Sequence, residues 1–139
     1  MKPNKPAKEM TTKELAKYID YSVLKPEFTE QEIIDLTKDG VQLGCATICI
    51  NPGYMDLCEP YVKGSETMLC PVTDFPFGDS STESRVQQIE AVAKYDTVKE
   101  VDIVANFGKI RSGKLDEVTE DLKACAEAAH KYGRALKVI

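Results

Sequence analysis

Five short β-rich runs alternate with helix-length amphipathic segments along this chain, and that alternation constrains its fold more than any other feature. The runs cover residues 19–24, 45–50, 67–75, 98–105 and 135–139. They are close to continuously apolar, the signature of strands covered on both faces. Strands of that kind, joined by helices, form a parallel sheet with helices packed on it. The fold class is therefore α/β.

The signals between the runs agree. Thr11-x-x-Glu14 and Thr29-x-x-Glu32 are capping boxes that open helices, the second with Ile33, Ile34, Leu36 and Val41 towards the core and Gly44 at its end. Asn51-Pro52-Gly53 closes the second run, and Pro60 is expected to shorten or kink the helix over 54–62. Pro71 inside the third run predicts a bulge. Ser81 or Thr82 caps the next helix, with Val86, Ile89 and Val92 on one face. The last helix, over 115–132, carries Val118, Leu122, Cys125 and Ala129 in register and stops at Gly133. With 139 residues, 42% of them hydrophobic, one domain is expected over 11–139 after a flexible tail, 1–10, that holds three lysines and two prolines. Two architectures satisfy this pattern: a five-stranded flavodoxin-like sheet, and the first five units of a (β/α)₈ barrel. Periodicity does not choose between them.

Charge removes several function classes. Eighteen Lys and Arg stand against 23 Asp and Glu, a net charge of −5, so the basic face that nucleic-acid binding needs is not expected. No apolar run approaches the length of a membrane span. Neither GxGxxG nor GxxxxGK[ST] occurs, so dinucleotide and P-loop binding lack support. The five cysteines form no CxxC pair and His130 is the sole histidine, which argues against a Cys/His zinc set; no metal and no cofactor are expected. An odd number of cysteines, several inside apolar runs, fits free buried thiols in a cytoplasmic protein, with Cys45 and Cys49 on one face of a strand.

Three charged residues fall inside strand-like runs: Asp20, Asp102 and Lys137. A carboxylate flanked by Val101 and Ile103 costs several kcal/mol unless it is paired or hydrogen-bonded. A structural ion pair, or a lysine facing solvent from the last strand, satisfies these residues without any catalysis. Gathered at one barrel mouth, they are equipment for proton transfer or imine chemistry on a carbonyl compound. The loop Phe75-Pro76-Phe77-Gly78-Asp79 follows the third run, at the end of the sheet where barrel enzymes build their sites.

Five stretches, in order, resemble the deoxyribose-phosphate aldolase family, class I aldolases on a TIM barrel. They are Ile19-Asp20-Tyr21-Ser22-Val23-Leu24-Lys25-Pro26, Ile48-Cys49-Ile50-Asn51-Pro52, Val72-Thr73-Asp74-Phe75-Pro76-Phe77-Gly78, Glu100-Val101-Asp102-Ile103-Val104-Ala105-Asn106, and Leu136-Lys137-Val138-Ile139. The resemblance implies reversible cleavage of 2-deoxy-D-ribose 5-phosphate to acetaldehyde and glyceraldehyde 3-phosphate through a lysine Schiff base, without a metal. It implies catalytic roles for Asp102, Asp20 and the strand-five Lys137, with Cys49, Asn106 and Ser22 lining the substrate. A variant of this reading makes Lys137 itself the imine nucleophile.

Departures from the family pattern are Tyr21-Ser22 for His-Thr, Asp74 for Gly or Asn, and Lys94-Tyr95-Asp96-Thr97-Val98 for an Asn-Gly-Ala-type turn. The family's Schiff-base lysine lies in strand six and its phosphate loops in strands seven and eight. The last run here corresponds to strand five, so the resemblance implies a chain inactive by itself. Its expected partners are a small phosphosugar or aldehyde and either a C-terminal complementing chain or a second copy. A non-catalytic half-barrel that dimerises or binds a phosphosugar is the alternative.

Overall fold

The computed structural model describes residues 3–139; Met1 and Lys2, the start of the expected tail, lie outside the described residues. Within that tail Ala7–Glu9 form a single 3₁₀ turn, and Lys5 pairs with Glu14 at 2.8 Å. Five parallel strands follow, β1 (Asp20–Val23), β2 (Thr47–Ile50), β3 (Met68–Thr73), β4 (Glu100–Ile103) and β5 (Ala135–Val138). The helices are α1 (Thr12–Ala16), α2 (Glu30–Leu43), α3 (Met55–Val62), α4 (Thr82–Ala93), α5 (Phe107–Arg111) and α6 (Leu115–His130). Both capping boxes form: the Thr11 and Thr29 hydroxyls accept from the backbone N–H of Glu14 and Glu32, whose carboxylates accept from the threonine N–H in return. Gly44 ends α2 in the left-handed conformation at φ 72°, one that costs a side chain about 1–2 kcal/mol.

Strand order decides the architecture. The sheet runs β1-β2-β3-β4-β5, each strand beside its neighbour in sequence. A flavodoxin-like sheet reverses direction after its first strand, in the order 2-1-3-4-5. That alternative is therefore wrong, and the chain consists of successive β/α units of the barrel type. Periodicity was silent on the point because both folds bury their strands on both faces.

The outward face carries the core. Tyr21, Val23, Ile48, Ile50, Leu69, Val101, Ile103 and Leu136 pack against Ile33, Cys58, Val62, Ile89, Val92, Cys125 and Ala129 from the helices. Alternation along each strand sends the neighbouring residues to the inner face. A small apolar cluster of Cys49, Cys70 and Val72, with Leu24 against it, sits there among the polar side chains.

Pro71 has the expected consequence. Leu69 bridges Val98, yet Val72 pairs with Asp102, so β4 advances one residue further than β3 between the two points. Pro71 shares the orientation of Leu69, whose N–H and C=O both bond towards β4. Its missing donor therefore falls where the register slips. Cys45, expected on a strand with Cys49, lies ahead of β2 because pairing with β1 begins only at Thr47. The short helix α5 was not anticipated; Asn106 caps it, accepting from the Lys109 N–H at 3.0 Å.

The loop after β3 is pinned from beneath by Arg85, which is completely buried. Its Nη1 donates to the Gly78 carbonyl at 3.0 Å and its Nη2 to that of Val104 at 2.6 Å. Asp74 and Asp121 balance it, each with an oxygen 3.4 Å from the guanidinium. Asp74 adopts φ 49°, a left-handed conformation that Gly, Asn and Asp tolerate best. One departure from the family pattern thus has a physical reason: the position needs a residue that accepts positive φ, and here its carboxylate also meets Arg85.

Candidate active site

All three charged strand residues meet on the inner face. Lys137 Nζ lies 2.7 Å from Asp102 Oδ1 and 2.8 Å from Asp20 Oδ2. Asp20 Oδ1 also accepts from the Thr47 hydroxyl at 2.6 Å. In a flat sheet β1 and β5 are separated by four spacings, roughly 19 Å, far beyond the reach of a lysine and an aspartate. Contact between Lys137 on β5 and Asp20 on β1 therefore means that the sheet curls strongly, with these side chains inside the curl.

Two residues that sequence reasoning passed over complete the group. Glu100 Oε1 lies 3.5 Å from Lys137 Nζ, and Cys70 Sγ lies 3.6 Å from it. Both were detectable by strand parity. Glu100 precedes Asp102 by two positions, and Cys70 lies opposite Cys49 in the β2–β3 register.

Burial grades the cluster. Asp102 is 9% exposed and Lys137 is half-buried, its side chain 38% exposed. Burial alone pulls the Lys137 ammonium down, but its hydrogen bonds to Asp102 and Asp20 outweigh that and raise it above the usual lysine range. Burial likewise pushes Asp20 up, yet bonds from Lys137 and Thr47 leave it below the ordinary carboxylate value. Glu100 goes the other way, because burial dominates and its contact with Lys137 is longer. The Cys70 thiol is raised well above its normal range, first by its hydrogen bond with Cys49 and then by burial.

The remaining expected residues separate. Cys49 is buried directly opposite Cys70, with its Sγ, that of Cys70 and a carboxylate oxygen of Asp102 all within 4.8 Å of one another. Ser22 shares the inner face and pairs with Cys49 in register, but is exposed. Asn106 is half-buried beyond the end of β4, its Oδ1 engaged as the cap of α5. Phe75 and Phe77 are exposed, 40% and 65%, and edge an open cavity of about 290 Å³ with Asn51, Val72, Asp74 and Gln88.

A curled sheet of successive parallel β/α units, with a lysine held among carboxylates on its inner face, defines the β/α-barrel class. Within that class the chain is homologous to the deoxyribose-phosphate aldolases. It is 42% identical over 130 residues to the deoxyribose-phosphate aldolase of Desulfitobacterium hafniense, covering 94% of this chain and 59% of that one. Among solved structures, a candidate deoxyribose-phosphate aldolase from Coccidioides immitis superposes with a TM-score of 0.85 at 26% identity, over 93% of this chain and 50% of that one. An aldolase designated QR15 superposes with a TM-score of 0.80 at 31% identity, over 88% and 53%. The chain thus spans about three-fifths of the length of the curated relatives it matches. No family model matches it. Among the described residues no helix is long and apolar enough to cross a membrane.

Proposed function

We propose that residues 11–139 form the first five β/α units of a 2-deoxy-D-ribose-5-phosphate aldolase and supply the proton-handling side of its site. The substrate would be cleaved to acetaldehyde and glyceraldehyde 3-phosphate through an imine on a lysine outside this sequence. The observation carrying this reading is the contact of Lys137 with both Asp102 and Asp20 on the inner face.

In this reading Asp102 and Lys137 form the relay. A buried carboxylate beside an ammonium exchanges a proton with a carbon next to a carbonyl while the local charge stays balanced. Asp20 holds the ammonium from the β1 side and is itself oriented by Thr47. Cys49 and Ser22 line the floor where a small aldehyde would lie, and Asn106 stands at the rim. Lys137 does not serve as the imine nucleophile here, since an amine must be neutral to attack and this one is clasped by two carboxylates. The five free, buried cysteines suit a reducing compartment, and the cytoplasm is the location we infer.

The test is borohydride trapping with acetaldehyde or 2-deoxyribose 5-phosphate, read by intact-protein mass spectrometry. The 139-residue chain alone should give no adduct. One should appear when a polypeptide carrying the remaining strands is supplied, and turnover of that assembly should collapse with Asp102→Asn. An adduct on Lys137, or an assembly indifferent to Asp102→Asn, overturns the proposal. The second reading is a non-catalytic half-barrel that pairs with its own copy. Its support is that β1 and β5 each have only one strand neighbour among the described residues. A monodisperse monomer by light scattering would count against it.

A further inference from the structure

We infer that Cys49, Cys70 and Asp102 form a site for one thiophilic divalent cation of the Zn²⁺ or Cd²⁺ type. The three ligand atoms come from three adjacent strands, are all buried, and lie within 4.8 Å of one another. A tetrahedral site with metal–sulfur bonds of about 2.3 Å puts its sulfurs about 3.8 Å apart. The contraction needed is therefore about 1 Å or less, within the reach of side-chain adjustment on a fixed sheet. Sequence spacing argued against a Cys/His set and no metal was expected; the β2–β3 register and the parity of β4 bring together a Cys/Cys/Asp set that spacing does not show.

A second observation shows that this place accepts positive charge. The Lys137 ammonium already touches two of the three groups, Asp102 at 2.7 Å and Cys70 at 3.6 Å. Asp102 Oδ1, buried, makes no directed hydrogen bond beyond that ion contact, which leaves a lone pair for a ligand. Entry of a dication with loss of the two thiol protons leaves the charge of the cluster unchanged. Lys137 then keeps Asp20 at 2.8 Å and Glu100 at 3.5 Å as partners. Two sulfurs and one carboxylate select a thiophilic ion over Mg²⁺ or Ca²⁺, and three protein ligands leave a fourth position open towards the inner face. The site rests on the geometry alone. If the aldolase reading also holds, metal binding occupies Asp102 and blocks turnover.

Titration of the reduced, metal-free chain with Cd²⁺, followed by the ultraviolet thiolate-to-cadmium band and by calorimetry, tests this. One Cd²⁺ per chain is expected, displaceable by Zn²⁺ but not by Mg²⁺. Cys49→Ser and Cys70→Ser should each lower affinity at least tenfold and cut the band by about half, and Asp102→Asn should weaken binding about 10–100-fold. Cys58→Ala, in α3 on the far face of the sheet, should change neither. Circular dichroism of every variant separates loss of the site from loss of the fold. A Ser variant that has lost its fold is replaced by alkylation rates with and without one equivalent of Cd²⁺: mass mapping must then show Cys49 and Cys70 slowed by the metal, and the other buried cysteines, Cys45, Cys58 and Cys125, unchanged. No band at one equivalent, or a band that survives both Ser substitutions, overturns the inference.

Discussion

Replacing Arg85 with methionine removes a fully buried guanidinium of similar length and leaves its partners behind. Asp74 and Asp121, with side chains only 7% and 8% exposed, lose their counter-charge together. The Gly78 and Val104 carbonyls lose donors at 3.0 and 2.6 Å. Breaking one side of a buried ion pair costs about 3–5 kcal/mol, chiefly through the charge left unpaired. Here two carboxylates are orphaned, but Asp74 keeps the Ser80 hydroxyl at 2.7 Å and Asp121 that of Thr82 at 2.6 Å, which holds the loss near 4 kcal/mol. With an m-value near 2 kcal/mol/M, the urea midpoint should fall by about 2 M. Because the cost lies in the orphaned acids, the triple variant Arg85→Met, Asp74→Asn, Asp121→Asn should regain most of it. Loss below about 1 kcal/mol in the single variant, or a triple variant no better than the single, would refute this reasoning.

Gly78→Ala should destabilise by about 2–3 kcal/mol in the same assay, since φ is +67° and a Cβ would meet the Ala105 carbonyl oxygen at 2.7 Å; a neutral result contradicts the close approach. Thr29→Ala should cost about 1 kcal/mol by chemical denaturation through loss of the α2 cap, and Thr29→Asp should restore it. Glu14 is held down to about 2 by its hydrogen bond with Lys5 and then by those with Thr11, so its cap is complete above pH 4.5 and is lost as pH falls through about 2. Carbon-detected NMR titration should place its midpoint there, and Lys5→Ala should move it upward; a midpoint near 4.5 in the parent chain rejects the bond.

Much of this arrangement was legible in the residues. Asp20, Asp102 and Lys137 stood out because charge inside a buried strand demands a partner, and each proved to be part of the answer to the others. Glu100 and Cys70 were missed because parity was applied to single runs and not across all five strands. Arg85 escaped for another reason. It lies four residues before Ile89 on the buried stripe of α4, yet an arginine in an amphipathic helix reads as part of the wet face until its two acids, 11 residues before and 36 after it, are placed beside it. Strand order was out of reach of periodicity, which reports how deeply a strand is covered and not which strand lies beside it; only the resemblance to barrel aldolases pointed to strands in chain order.

The match between strand order and chain order has a kinetic meaning. Each strand finds its partner already made when it emerges during synthesis, so the sheet can grow one unit at a time through short-range closures. The Lys137–Asp20 contact is the exception, joining positions 117 residues apart. No growing intermediate short of β5 contains it. Formation of that single ion pair therefore marks the closing of the curl: no intermediate short of the fifth strand can bring the acids of β1 and β4 onto one ammonium.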